Sequence, residues 1–161
     1  MYVVQCLTGR EAELQGELVN AGITGRVPTA VRLERCGGRW LDRLRTLIPG
    51  YVFVDAPMTD KLYYTVKDMT GVIRWLNPGK PVQLADHEAE FVRQLTAHNL
   101  PLLPLELKAQ PYLTVLSGPL AGCEHRIVSV DRHQRRAVVR VRVMGKEHRL
   151  TLSAHFKDIP S

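Results

Sequence analysis

Apolar and polar residues follow two rhythms along this chain. Residues 2–7 form a short apolar run that predicts a first strand. Behind it, Leu14, Leu18 and Ala21 recur at the spacing of one helical face. Thr8 stands three residues before Glu11, which fits a capping box, and Gly22 fits the helix stop. Gly16 weakens that helix by roughly 1 kcal/mol relative to Ala. Residues 27–33 and 40–47 read as the arms of a hairpin turned at Cys36-Gly37-Gly38-Arg39. Ile48-Pro49-Gly50 breaks the chain before a short strand, Tyr51-Val52-Phe53-Val54. Thr59 fits the cap of a second helix in which Leu62, Val66 and Met69 share a face, ended by Gly71. Residues 72–76 read as a strand closed by Asn77-Pro78-Gly79, and a third helix follows Leu84 with Phe91, Val92 and Leu95 apolar. This order predicts an α+β layer, a mainly antiparallel sheet flanked by helices.

The pattern changes near residue 98. Leu100-Pro101-Leu102-Leu103-Pro104-Leu105 has two prolines and no period, so residues 99–110 read as a linker, partly docked through its leucines. Period-two alternation then takes over. Strands are expected at 111–116, 126–130, 137–143 and 148–152, with a stub near 156–159. Ala137, Val139, Val141 and Val143 point one way, while Val138, Arg140 and Arg142 point the other. The expected organisation is a domain over 1–98, the linker, and a small β-barrel over 111–161.

Charge sharpens this division. The 161 residues carry a net charge of +6, and residues 99–161 hold ten Lys/Arg against five Asp/Glu, whereas 1–98 hold twelve against eleven. The excess therefore sits on the barrel, where phosphate contact is the specific reading and a solvated basic surface the plain one. Three cysteines, Cys6, Cys36 and Cys123, show no CxxC spacing and predict neither a disulfide framework nor a zinc site; buried reduced thiols are expected. No apolar run approaches the ~20 residues of a membrane span, and the N-terminus has no signal-peptide pattern, so a cytoplasmic protein is expected. No catalytic set stands at motif spacing. His87 and Glu88 are adjacent and diverge by about 100° on a helix, so an enzyme is the weakest class and no cofactor or metal is called for.

Three segments in order resemble the NusG family of transcription elongation factors. They are Tyr2-Val3-Val4-Gln5 with Thr8-Gly9-Arg10-Glu11; Pro49-Gly50-Tyr51-Val52-Phe53-Val54 with Gly71-Val72 and Trp75; and Gly118-Pro119-Leu120-Ala121-Gly122 through Val141-Arg142-Val143-Met144-Gly145-Lys146. The resemblance implies an N-terminal domain that docks on the β′ clamp helices of bacterial RNA polymerase and a C-terminal SH3-like KOW barrel that recruits a second partner. It places Tyr51 and Phe53 at clamp-facing positions, Trp75 and Ala89 near the rim of the same pocket, and Tyr2 on the neighbouring strand. Sheet core is the alternative reading of Phe53 and Trp75.

The departures from the family pattern carry information. Met1 stands where housekeeping members have Trp. Asp68 and Met69 replace the Asn-Thr of members that pause polymerase on non-template DNA. Leu62-Tyr63-Tyr64 replaces the His-Thr-Thr of a specialised paralogue, leaving Tyr63 and Tyr64 as candidates for stacking on non-template DNA. His125 stands where the barrel usually has Gly, so it either adopts a different turn or adds to a binding face. The loop Arg132, His133, Arg135 and Arg136, with Arg140, Arg142, Lys146 and Arg149, points to structured leader RNA, a pattern similar to LoaP-type antitermination factors. The expected function is thus a monomeric processive antitermination factor. The alternative is a housekeeping NusG-type factor whose barrel holds Rho or a small-subunit ribosomal protein, with Met144 at the contact turn. A ribosome-associated KOW protein stands last, because such proteins lack the Pro49-Gly50-Tyr51 segment.

Overall fold

The structure is a computed structural model that describes residues 1–77 and 79–157. It divides into two compact units, one of residues 1–28 and 48–99, the other of residues 29–47 and 100–161.

The first unit is built on a four-stranded antiparallel sheet. Strand β1 (Tyr2–Cys6) lies between β5 (Tyr51–Val54) and β6 (Val72–Trp75), and the two-residue β2 (Gly25–Arg26) extends the β5 edge. Side chains alternate across the sheet. Val4, Cys6, Val52, Val54 and Trp75 face helices α1 (Glu11–Asn20) and α2 (Asp60–Lys67), and pack with Leu14, Leu18, Leu62 and Val66 into one core. The other face carries Val3 and Phe53, both buried. Arg26 and Asp55 share the parity of Phe53, and Asp55 is ion-paired to Arg93 of α3 (Asp86–Leu95), so α3 lies on this second face.

The start of α1 differs from the expected capping box. Its N-cap is Arg10, without a side-chain cap, and Thr8 is exposed. The Glu11 carboxylate instead turns inward. It is 3 % exposed and accepts the N–H of Gly9 at 3.0 Å and that of Gly50 at 2.8 Å. Gly50 sits at φ +87°, a conformation open to glycine, which aims its N–H at the carboxylate. The tertiary partner outcompetes the local one because burial leaves two backbone donors to satisfy at once. Ala21 is exposed as the C-cap of α1 and not part of its apolar face. The expected cap of α2 does form, with Thr59 Oγ1 accepting the Leu62 N–H at 3.1 Å.

The second unit holds the hairpin and the small barrel. Strands β3 (Thr29–Cys36) and β4 (Arg39–Thr46) pair antiparallel around Gly37-Gly38, both at positive φ, as a two-residue hairpin turn requires. A five-stranded sheet runs in the order β8 (Thr114–Val115), β7 (Leu105–Lys108), β11 (Lys146–Phe156), β10 (Arg136–Val143), β9 (Ile127–Asp131). Part of the expected linker is therefore strand: Leu105 and Leu107 point inward and Glu106 and Lys108 outward, a short alternation hidden in sequence by the prolines before it. Leu102 joins the hairpin as well, donating to the Thr29 carbonyl and accepting from the Val31 N–H, both at 2.8 Å. The hairpin thus groups with the barrel and not with the domain expected over 1–98.

Among the described residues no separate stub follows residue 152. Strand β11 continues to Phe156, pairing antiparallel with β10 and then, from Ala154, parallel with β7. Residues 158–159 of the expected stub lie outside the described residues. His125 occupies a short 3₁₀ turn (Glu124–Arg126) with its side chain exposed, so the residue expected to be glycine takes a different turn.

Candidate nucleic-acid interface

The alternation read in β10 is the geometry observed. Ala137, Val139, Val141 and Val143 are buried with Leu150 and Leu152 of β11, while Arg140 and Arg142 are exposed. The register sets Arg149 opposite Arg140 and Glu147 opposite Arg142. Two like charges directly opposite would repel. Glu147 sits between them, 4.0 Å from the Arg140 guanidinium and 3.8 Å from that of Arg149. These are exposed pairs that orient the guanidiniums and leave donors facing solvent. Arg140 also donates to the His125 carbonyl at 3.4 Å, and Lys146 is exposed at the turn that joins the strands. That turn is Met144-Gly145, both at positive φ.

The loop between β9 and β10 extends this basic surface. Asp131 Oδ1 accepts the Gln134 N–H at 2.9 Å, which closes the loop. Arg132 lies 5.6 Å over the Phe156 ring, and His133 is exposed. Arg135, at φ +56°, lies 4.7 Å over the Trp40 ring of the hairpin. Trp40 is the cross-strand partner of Arg35, whose guanidinium is 5.9 Å from the same ring. Arg35, Trp40, His133, Gln134 and Arg136 line a cleft of about 310 Å³. The hairpin is anchored to β11, where Ser153 Oγ accepts the Leu33 N–H at 2.7 Å and Arg32 donates to the Thr151 carbonyl at 3.0 Å. Burial, and then the neighbouring Arg136, lower the Arg32 pKa from its ordinary value. Sequence reasoning found every loop arginine but left Trp40 and Arg35 out of the site. The available signal was five arginines on the hairpin arms.

In the first unit the five expected docking residues do not share one surface. Tyr51 and Phe53 lie on one face of the sheet, beside Gln5 and Val3. Phe53 is fully buried and Tyr51 half-buried opposite Gln5, which lies between it and Arg74 and whose Oε1 accepts from Arg74 Nε at 3.0 Å. Trp75 pairs with Val4 and lies on the opposite face with Tyr2. It is 1 % exposed, and its indole N–H donates to the Tyr63 carbonyl at 3.0 Å. Ala89 is buried on α3. The core reading of Phe53 and Trp75 is the one observed.

The tyrosine pair divides too. Tyr63 stacks on Trp75 with ring centroids 6.0 Å apart, and its hydroxyl accepts the Gly79 N–H. Tyr64 is exposed, with the Lys67 ammonium 5.9 Å from its ring. The cysteines differ from the expectation of buried thiols: Cys6 is buried, Cys36 exposed and Cys123 intermediate. Burial, helped by the Glu11 carboxylate, pushes the Cys6 thiol pKa up.

Among the described residues no group of three His, Cys, Asp or Glu side chains could hold a metal ion, and no helix is long and apolar enough to cross a membrane. His87 is exposed while Glu88 is buried.

Comparison with known proteins bears on both units. The solved structure described as "Domain interaction in Thermotoga maritima NusG" matches with a TM-score of 0.55 and 21% identity, over 94% of this chain and 92% of that one, which shows the shared fold. The "Transcription termination/antitermination protein NusG" of Bacillus subtilis (strain 168) is 24% identical over 159 residues, covering 91% of this chain and 90% of that protein. Its namesake in Haemophilus influenzae is 27% identical over 158 residues, 90% of this chain and 85% of that protein. The family model for NusG, transcription termination factor nusG, matches residues 1–93, the strands, hairpin and helices just described, and the chain belongs to the NusG family.

Proposed function

We infer that this NusG-family protein is a processive antitermination factor, with its N-terminal unit held on the clamp helices of RNA polymerase and its basic barrel on a leader RNA. The observation that carries the reading is the exposed ladder Arg140, Arg142 and Arg149, continued by Arg132 and Arg135 in the β9–β10 loop and by the half-buried Arg136 at the start of β10. Forked guanidiniums suit phosphates and exposed bases of structured RNA. Polymerase docking falls to Tyr51 and its polar neighbours Gln5 and Arg74. Phe53, Trp75 and Ala89 support that surface from within, and Tyr2 flanks it from the other face of the sheet. Tyr64 with Lys67 is the candidate for the non-template strand.

One observation favours a second reading. The relatives at 24% and 27% identity are termination/antitermination proteins named NusG. A housekeeping role would use the barrel, with Met144 at its turn, to hold Rho or a small-subunit ribosomal protein.

The test is co-purification followed by transcription. The immobilised protein retains RNA polymerase, and Tyr51→Ala lowers retention about tenfold while leaving the fold intact. Addition to single-round transcription raises read-through of a terminator downstream of the leader. Failure to retain polymerase overturns the docking assignment. Retention with Rho recruitment and no RNA binding selects the housekeeping reading.

A further inference from the structure

We propose that the cleft between the hairpin and the β9–β10 loop is a nucleotide-binding slot, in which Trp40 stacks one unpaired base of a single strand and Arg35, Arg135 and Arg136 hold its phosphates. This rests on the nucleic-acid reading of the barrel and gives it a specific pocket, centred on the hairpin's Trp40 and not on the arginine ladder.

The chemistry of the lining selects the ligand. The cleft of about 310 Å³ lies at the lower end of the ~300–1,000 Å³ typical of small-ligand sites, room for about one nucleotide. Its wall is one planar indole and its rim is cationic. Arg35 and Arg136 line it with His133, while Arg135 lies on the indole. Two carboxylates on the strands that border the cleft are engaged elsewhere. Glu34 is bound by Arg45 at 2.7 Å and Asp131 by the loop N–H of Gln134. Arg136 Nε is buried with no hydrogen-bond partner among the described residues, and so is Arg32 Nε. A buried donor left unpaired is unfavourable, and an arriving phosphate oxygen supplies the missing acceptor.

Trp40 decides between a nucleotide and a merely acidic ligand. An acidic peptide would engage the arginines but would leave the indole unused. A base uses both, because base–aromatic stacking is tolerant of sequence and every base has a π-face. An exposed cation–π contact is weaker than base–indole stacking. The base therefore replaces Arg135 on the ring, and the guanidinium moves to the adjacent phosphate. Arg136 of the slot and Arg140 of the ladder share one face of β10, so a strand bound in the slot continues onto Arg140 and Arg149.

Tryptophan fluorescence of the whole chain reads this directly, since Trp75 is buried in the other unit's core and Trp40 is the accessible ring. Short oligoadenylate RNA, the matching DNA and an oligoglutamate peptide are titrated at low salt. RNA or DNA quenches the emission, either one supporting the slot, and the comparison tells transcript from DNA as its source. Trp40→Leu abolishes the quench and weakens binding about tenfold, while Trp40→Phe retains most of the affinity. Should Trp40→Leu fail to fold by circular dichroism, Arg35→Ala gives the parallel reading: weaker binding with the quench preserved at saturation. If Trp40→Leu is folded and binds as well as native while Arg140→Ala/Arg142→Ala/Arg149→Ala does not, the slot is overturned and the barrel reading survives. If the native protein binds neither oligonucleotide, both are overturned. A quench by oligoglutamate alone makes the cleft an acidic-peptide site and sinks the proposal.

Discussion

Single residues here answer to burial before they answer to motif. Phe53 and Tyr51 stand two apart on one strand face, yet one is wholly enclosed and the other reaches solvent. Phe53→Ala is expected to lower stability by ~3–5 kcal/mol, the cost of emptying a large core site. Tyr51→Ala is expected to cost about 1 kcal/mol. Urea unfolding of both variants checks this, and a Phe53→Ala protein with native stability would put the ring outside the core. Glu11 shows the same priority. Its spacing from Thr8 suits a capping box, but the carboxylate satisfies Gly9 and Gly50 in the interior. Periodicity places a residue on a face. It does not say whether that face is covered: the family resemblance implies a docking position for Phe53 and a rim position for Trp75 and Ala89, core is the alternative for Phe53 and Trp75, and all three side chains are buried.

Between elements, a charged knot on the second sheet face fastens α3. Asp55, just beyond β5, accepts from Arg26 Nε and from Arg93 Nε and Nη2, all at 3.0 Å. The Arg93 hydrogen bonds, opposed in part by burial and reinforced by Arg26, hold the Asp55 carboxyl down to about 2. Its folded pKa lies below its unfolded value, so its contribution is complete above about pH 4 and is lost as pH falls toward 2. With solvent screening, the contribution is on the order of 1–2 kcal/mol. Asp55→Asn should therefore be less stable than native at pH 7, with the gap narrowing toward pH 2. Chemical denaturation at both pH values measures it, and a gap independent of pH would show that the knot is not electrostatic. None of this was legible in sequence, because Arg26, Asp55 and Arg93 are far apart in the chain. The alternation of β10, the Thr59 cap and the Gly37-Gly38 turn were legible, because each is set within a few residues.

The whole molecule is a family scaffold whose C-terminal unit carries an arginine ladder in register across β10 and β11. If the ladder holds RNA, Arg140→Ala/Arg142→Ala/Arg149→Ala lowers affinity for a structured RNA hairpin at every salt concentration. It also flattens the slope of log K against log salt, by about 0.7–0.9 for each phosphate no longer neutralised. Filter binding across a salt series reads the slope, and an unchanged slope would mean the arginines meet no phosphate. The order of elements, the basic barrel and the family resemblance followed from sequence alone, because apolar period, turn residues and charge excess are properties of neighbouring positions. The grouping of the hairpin with the barrel did not. It depends on Leu102, Ser153 and Thr151 meeting β3 across more than fifty residues of chain, through backbone and hydroxyl hydrogen bonds that leave no pattern in either segment. That long-range pairing alone set Trp40 beside Arg135. Sequence showed where the positive charge lies, and only the tertiary structure decided which aromatic ring it surrounds.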